Sequence, residues 1–213
     1  MIACLGALPL LAAAPAGGGA KPPFVSKVQT IDREREKRMT GRSWHRGCPV
    51  PVRQLRLVRV RHWGFDGNIH RGRLIVHEEE TREVLRAMRS LFRQEFPIRR
   101  MEVIDAYGGD DHRSMNADYT SAFNCRFVAG TSRWSQHAFG KAIDLNPIEN
   151  PYVTSSGHVS PPAGRPYADR SRDAKGMIKS GSSTVRAFRR VGWEWGGNWS
   201  GTKDYQHFSS NGR

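Results

Sequence analysis

The stretch Ser135-Gln136-His137-Ala138-Phe139-Gly140-Lys141-Ala142-Ile143-Asp144 sets an imidazole and a carboxylate seven residues apart around a glycine. That spacing suits a strand, a tight turn at Gly140 and a return strand. A second stretch, Asp204-Tyr205-Gln206-His207-Phe208, sets a carboxylate three residues before another imidazole. A modest bend there presents both to one place. Short pieces at 142–145, 193–199 and 205–208 read as strands. The chemistry-bearing residues are thus expected on brief strands and turns rather than on long helices.

Working outward, Leu55 to Arg61 alternates apolar and basic side chains and reads as a strand. Arg73 to Val76 reads as another, with Asp66-Gly67 as a turn signal between them. Glu78, Glu79 and Glu80 then stand where a helix dipole favours negative charge. Val84, Leu85, Met88, Leu91 and Phe92 form one apolar helical stripe, which Phe96-Pro97 ends. Met101 to Ala106 and Ala122 to Ala129 read as strands, and 107 to 118 as a polar loop. Residues 147–183, rich in Pro, Gly and Ser, form a long excursion of a kind that is often functional. Thr184 to Val191 reads as a helix stopped by Gly192. Helices and strands are few and do not alternate regularly, which makes the fold α+β. There is no internal repeat.

The chain has 213 residues, the length of one domain with a leader. With 22 Gly and 12 Pro it is too broken for a coiled coil or long bundle. Its 34 Lys and Arg against 20 Asp and Glu give +14, so it will be drawn to polyanions. The first charged side chain is Lys21. Residues 1–20 read as a secretory signal peptide with small residues at Ala14-Pro15-Ala16, too short to span a bilayer. No later segment is apolar enough to span one. Residues 21–45 hold Pro22-Pro23 and the charge run Asp32 to Arg38, and read as a linker with a short helix at 30–39. The folded domain is then expected over 46–213. Cys4 falls in the leader. Cys48 and Cys125 either pair in an oxidising compartment or stay as separate thiols. Two cysteines this far apart, with no CxxC, argue against a thiolate zinc finger.

A hydrolytic zinc site takes three protein ligands and leaves one position for water, whose pKa the metal lowers. A further carboxylate, off the metal, must take the proton. Four groups fit these four roles: His137, Asp144 and His207 as metal ligands, and Asp204 as the base.

The same two stretches resemble a known family. SQHAFGKAID is similar to the SxHxxGxAxD motif of the M15 metallopeptidases, the zinc D-alanyl-D-alanine carboxypeptidases and related peptidoglycan peptidases. DYQHF resembles their second motif. GFDGNIHRGRLIVHEE, FPIRRMEVIDAYGGDD, SAFNCR, DLNPIENPYV and GWEWGGNW extend the likeness over roughly residues 50 to 208. The resemblance implies a compact α+β domain like the hedgehog signalling domain, with a small antiparallel sheet and flanking helices. It implies Zn2+ on His137, Asp144 and His207, with Asp204 as general base. It also implies Arg126 near the substrate, holding a terminal carboxylate or a developing oxyanion. Ser135 is then a supporting hydrogen bonder, and Trp193, Trp195 and Trp199 build core and a pocket wall.

On this reading the chain is a secreted, monomeric zinc peptidase in or near the cell wall. It acts on peptidoglycan stem peptides, as a D-alanyl-D-alanine carboxypeptidase first and a stem endopeptidase second. The anionic wall absorbs the +14. A serine peptidase built on Ser200-Gly201-Thr202-Lys203 is disfavoured, because that motif works at a helix start and no partner motif follows. A nucleic-acid binder is disfavoured because the basic residues are dispersed and no recognition motif is present. A non-catalytic wall-binding module is disfavoured because all four chemical positions are filled.

Overall fold

The computed structural model describes residues 21–213. The leader expected over 1–20 lies outside the described residues. The first sheet is antiparallel. Strand β1 (Ser26–Thr30) leads to helix α1 (Arg33–Met39), and a long hairpin follows of β2 (Leu55–Trp63) and β3 (Ile69–His77). The order is β1-β2-β3, and the register runs from Leu55 opposite His77 to Trp63 opposite Ile69. At the hairpin tip Asp66 accepts hydrogen bonds from the Asn68 amide and side chain, as Asp-Gly turns commonly do.

Both faces of this hairpin are covered, and its residue alternation says by what. Val58, Val60, Leu74 and Val76 enter the larger apolar cluster, under helix α2 (Thr81–Arg93). Leu55, Leu57 and Ile75 point the other way, to Met39, Val103 and Phe123. The α2 stripe is as the periodicity requires: Val84, Met88, Leu91 and Phe92 are buried, together with Ala87. The three glutamates before it form a 3-10 turn, Glu78–Glu80, rather than the first turn of the helix.

Residues 21–45 are not a linker. Strand β1 pairs with β2 along its whole length, from Ser26 opposite Val60 to Thr30 opposite Arg56. Helix α1 is capped by Asp32, which accepts from the Arg35 amide at 2.7 Å, and Met39 is fully buried. The charge run resembles a solvated segment because the helix offers only Arg35 and Met39 to the interior.

After α2 the elements are short. They are β4 (Arg100–Met101), α3 (Asp111–Asn116), β5 (Tyr119–Thr120) and β6 (Ala142–Asp144). Strands β7 (Tyr152–Val153) and β8 (Val159–Ser160) follow, then α4 (Ser183–Arg189), β9 (Glu194–Trp195), β10 (Lys203–Asp204) and β11 (His207–Ser209). Three of these expectations need correcting. The strand read at 101–106 is two residues of β4 followed by a 3-10 turn at Ile104–Tyr107. The polar loop 107–118 contains α3, capped by Asp110. The strand read at 122–129 keeps only single bridges, Ser121 to Asp144 and Phe127 to Trp134. Along 122–129 no neighbouring strand runs alongside to accept a ladder. Sheets β6-β11-β9 and β10-β7-β8 complete the α+β architecture. Phe208 of β11 stacks on Phe188 of α4 at 4.0 Å in the main cluster, which also holds Trp193 and Trp195.

Cys48 and Cys125 form a disulfide across 77 residues. It ties the segment after α1 to the stretch that leads into the candidate site. Closing a loop of that length removes chain entropy worth about 4 kcal/mol from the unfolded state. Replacing both cysteines with serine is therefore expected to lower the unfolding free energy by about that amount. Urea titrations of the two proteins check this; coincident midpoints would contradict it.

A second buried feature sets a pH dependence. Arg99 donates to Glu149 at 2.8 Å and to Asp118 at 3.3 Å. Burial pushes the Glu149 carboxyl up to about 7, and the Asp118 carboxylate adds to this while Arg99 opposes it. Between its ordinary value of 4.5 and about 7 the folded protein keeps a proton that the unfolded chain has lost. Stability from this group is thus present at the acid end and falls as pH rises through that window. Glu149→Gln is expected to flatten the fall, read as urea midpoints at the two ends of the window.

Candidate metal centre

The two stretches singled out in the sequence meet through one strand pair. Strands β6 and β11 are antiparallel, with His207 opposite Asp144 and Phe208 opposite Ile143. Because side chains alternate, Phe208 and Ile143 enter the core while His207 and Asp144 share the other face. His137 comes from a 3-10 turn, Gln136–Phe139, rather than from the strand that the spacing suggested. Gly140 ends that turn at φ +66°, where a Cβ would strike the His77 backbone nitrogen at 2.6 Å. The closeness is used: the His77 amide donates to the Gly140 carbonyl at 2.9 Å. Ser135 caps the turn by accepting from the His137 amide, so it supports the histidine through the backbone.

Three donor atoms converge. His137 Nε2 lies 3.2 Å from His207 Nδ1, Asp144 Oδ2 lies 3.1 Å from His137 Nε2, and Asp144 Oδ1 lies 3.0 Å from His207 Nδ1. All three residues are buried. The remaining ring nitrogens are committed elsewhere. His137 Nδ1 meets the Ala122 carbonyl, and His207 Nε2 meets the Arg213 carbonyl at 3.1 Å. A carbonyl only accepts, so each ring carries its proton on that outer nitrogen. In the neutral rings this leaves two lone pairs and a carboxylate aimed at one point, an arrangement that suits a cation. Its sides of 3.0 to 3.2 Å are close to the roughly 3.3 Å edge of a tetrahedron with metal–ligand bonds near 2.05 Å. The donor set therefore fits a zinc ion.

The electrostatics carry the same message. Burial pushes the Asp144 carboxyl up, but the His137 and His207 rings more than offset it and hold it well below the usual range. Burial pulls His207 down, but Asp144 raises it above its ordinary value, so the pocket draws positive charge.

Asp204 sits beside this triad. Strand β10 places it opposite Tyr152, and the chain bends at Tyr205 and Gln206 before β11 begins. Gly196 makes room for it: a Cβ there would meet the Asp204 carbonyl at 2.6 Å and the Asp204 Cβ at 2.9 Å. Its Oδ1 is sealed from solvent and has no hydrogen-bond partner. Burial and then the Asp144 carboxylate push its carboxyl up to about 7, against the pull of His207, His137 and Arg126. It does not share the donor cluster of the other three.

Arg126 is close enough to act on Asp204 electrically, but it is not free. It is half-buried and pairs with Asp111 of α3 at 2.9 Å, and its Nε has no partner. Asp111 had no sequence signal, since nothing marks one acid in a Gly/Asp-rich loop as an arginine's partner. The Ala122 and Arg213 carbonyls were missed for a plainer reason: backbone acceptors leave no trace in side-chain identity. Trp193 and Trp195 are buried, and Trp199 lies against the His207 ring at 5.5 Å. Lys203 donates to the Trp199 carbonyl and sits on a strand beside an exposed Ser200, which closes the serine-nucleophile reading. His45, Cys48 and Cys125 also lie together, but the joined sulfurs are not available to a metal.

Comparison with known proteins agrees with the geometry. Residues 129–210 match the family model described as D-alanyl-D-alanine carboxypeptidase, of the M15 peptidases. The match contains His137, Asp144, Asp204 and His207 and leaves out Arg126. No curated protein and no solved structure matches the chain.

Proposed function

We propose that this chain, whose residues 129–210 match the M15 peptidase family model, is a zinc-dependent D-alanyl-D-alanine carboxypeptidase acting on peptidoglycan stem peptides. The observation that carries the reading is the convergence of His137 Nε2, His207 Nδ1 and the Asp144 carboxylate, with an unpartnered Asp204 oxygen beside them. His137, Asp144 and His207 would hold the metal. A zinc ion bound there supplies an acidified water and a Lewis acid for the scissile carbonyl.

The chain's own residues account for the rest. Asp204 takes the attacking water's proton on a carboxylate oxygen and passes it to the leaving amine nitrogen. The Asp144 carboxylate and burial make that oxygen a better base than a surface aspartate, while the absence of a partner leaves it free to receive the proton. Arg126 orients an anionic group of the substrate through its guanidinium.

Endopeptidase cleavage within the stem is the second reading, and one observation favours it. Asp111 already pairs with Arg126, so part of the charge a terminal carboxylate needs is spoken for. Export is part of the proposal, supported by the Cys48–Cys125 disulfide, a bond of oxidising compartments. Among the described residues no helix is long and apolar enough to cross a membrane.

Digestion of purified muropeptides by zinc-loaded protein, with mass spectrometry of the products, tests the reading. Loss of one terminal alanine is the expected result. A cut between internal stem residues would support the second reading, and unchanged muropeptides would overturn both.

A further inference from the structure

The two histidines of the triad are held very differently. His137 is fixed by the Ala122 carbonyl, inside the protein. His207 is fixed by the Arg213 carbonyl, on a segment whose Asn211 and Arg213 are exposed. That segment is itself tied down at several points. The Ser210 amide donates to the Lys141 carbonyl at 3.1 Å. The Trp199 Nε1–H donates to the Gly212 carbonyl at 2.6 Å, while the Trp199 ring lies against His207. The Arg213 amide donates to the Asn211 side chain at 3.1 Å, closing the turn.

We infer that residues 210–213, clamped by Trp199, are a positioning element that selects the ring state in which His207 offers Nδ1 to a metal. The inference rests on the metal-centre reading above. The Arg213 carbonyl can only accept, so it keeps the proton on Nε2 and the lone pair on Nδ1, the atom that faces Asp144 and His137. Without that acceptor, either nitrogen can carry the proton, and the tautomer with Nδ1–H cannot ligate there. The bond also fixes the plane of the ring and raises the basicity of the nitrogen opposite. Trp199 acts through its indole N–H on the segment and through its ring on the imidazole. This gives the tryptophan of GWEWGGNW a role beyond filling space.

Two variants test this: truncation after Ser210, and Trp199→Phe, which keeps an aromatic side chain at the position and removes the indole N–H that holds the segment. Zinc affinity is measured by competition with a chromophoric chelator, and the ligand field by the visible absorption of the cobalt-substituted protein. Removing such an outer partner weakens metal binding by about ten- to a hundredfold. The truncation is expected to fall in that range, with Trp199→Phe shifted in the same direction and both cobalt spectra altered. The thermal midpoint of each metal-free protein should match that of the metal-free full chain. Zinc affinity and cobalt spectra identical to those of the full chain would overturn the inference. So would a loss of affinity accompanied by an equivalent loss of metal-free stability, which marks a merely structural role. A full chain that binds no zinc would instead overturn the metal-centre reading itself, a result distinguishable from either.

Discussion

Asp204→Asn is expected to slow hydrolysis by about 10³-fold while zinc remains bound at about one per chain. The side chain keeps its size and stays in the space that Gly196 leaves for it. What it loses is the ability to take a proton. Asp204 is not one of the three converging donors, so its neutralisation leaves His137, Asp144 and His207 in place. The substitution even relieves a repulsion, since the Asp144 carboxylate is one of the two reasons that Asp204 holds its proton so high. Zinc content is therefore expected to hold while turnover collapses. Elemental analysis and a peptide-release assay on the same sample check both halves. Retained turnover would remove Asp204 from the mechanism.

His137→Ala is expected to have the complementary signature: zinc content falling from about one per chain to near zero, with hydrolysis lost in step. A two-donor remnant of His207 and Asp144 binds a divalent ion too weakly to survive dialysis. The Asp144 carboxyl should also rise from its depressed value, because the His137 ring is the strongest of the groups that offset its burial. With the buried carboxylate less well compensated, the variant should be less stable than the natural chain at neutral pH, and the difference should shrink in acid, where the carboxyl is protonated in both. Dialysed protein that kept a full equivalent of zinc would show that the metal lies elsewhere.

His137, Asp144, Asp204 and His207 were legible because their chemistry is in their side chains and their spacing is local. The way they assemble was only half legible. Asp144 and His207 meet by strand pairing across 63 residues, a long-range fact that alternation hints at but does not place. His137 was expected on a strand because a seven-residue separation fits a hairpin. A 3-10 turn closed by Gly140 makes the same connection in less space, because that turn must also seat against His77. The hairpin β2–β3 and helix α2 were legible from periodicity. Of residues 26–44 the short helix was legible, but its packing and strand β1 were not, since the charged run Asp32 to Arg38 conceals an inward-facing Arg35 and ends at the buried Met39. Arg126 illustrates a third case. The resemblance put it near the substrate, yet its partner Asp111 sits on a two-turn helix inside what read as a loop.

The pairing of β6 with β11 has a consequence for how this centre can fail. Ile143 and Phe208 are fully buried in the main cluster, and the residues next to them, Asp144 and His207, form the site. A slip of one residue in either strand would turn a charged group into oil and an aromatic ring into the pocket. The site and the hydrophobic interior are two faces of one three-residue seam, so a slip of that seam disturbs both. Harm to this seam, whether by heat or by an inherited change, should reach both.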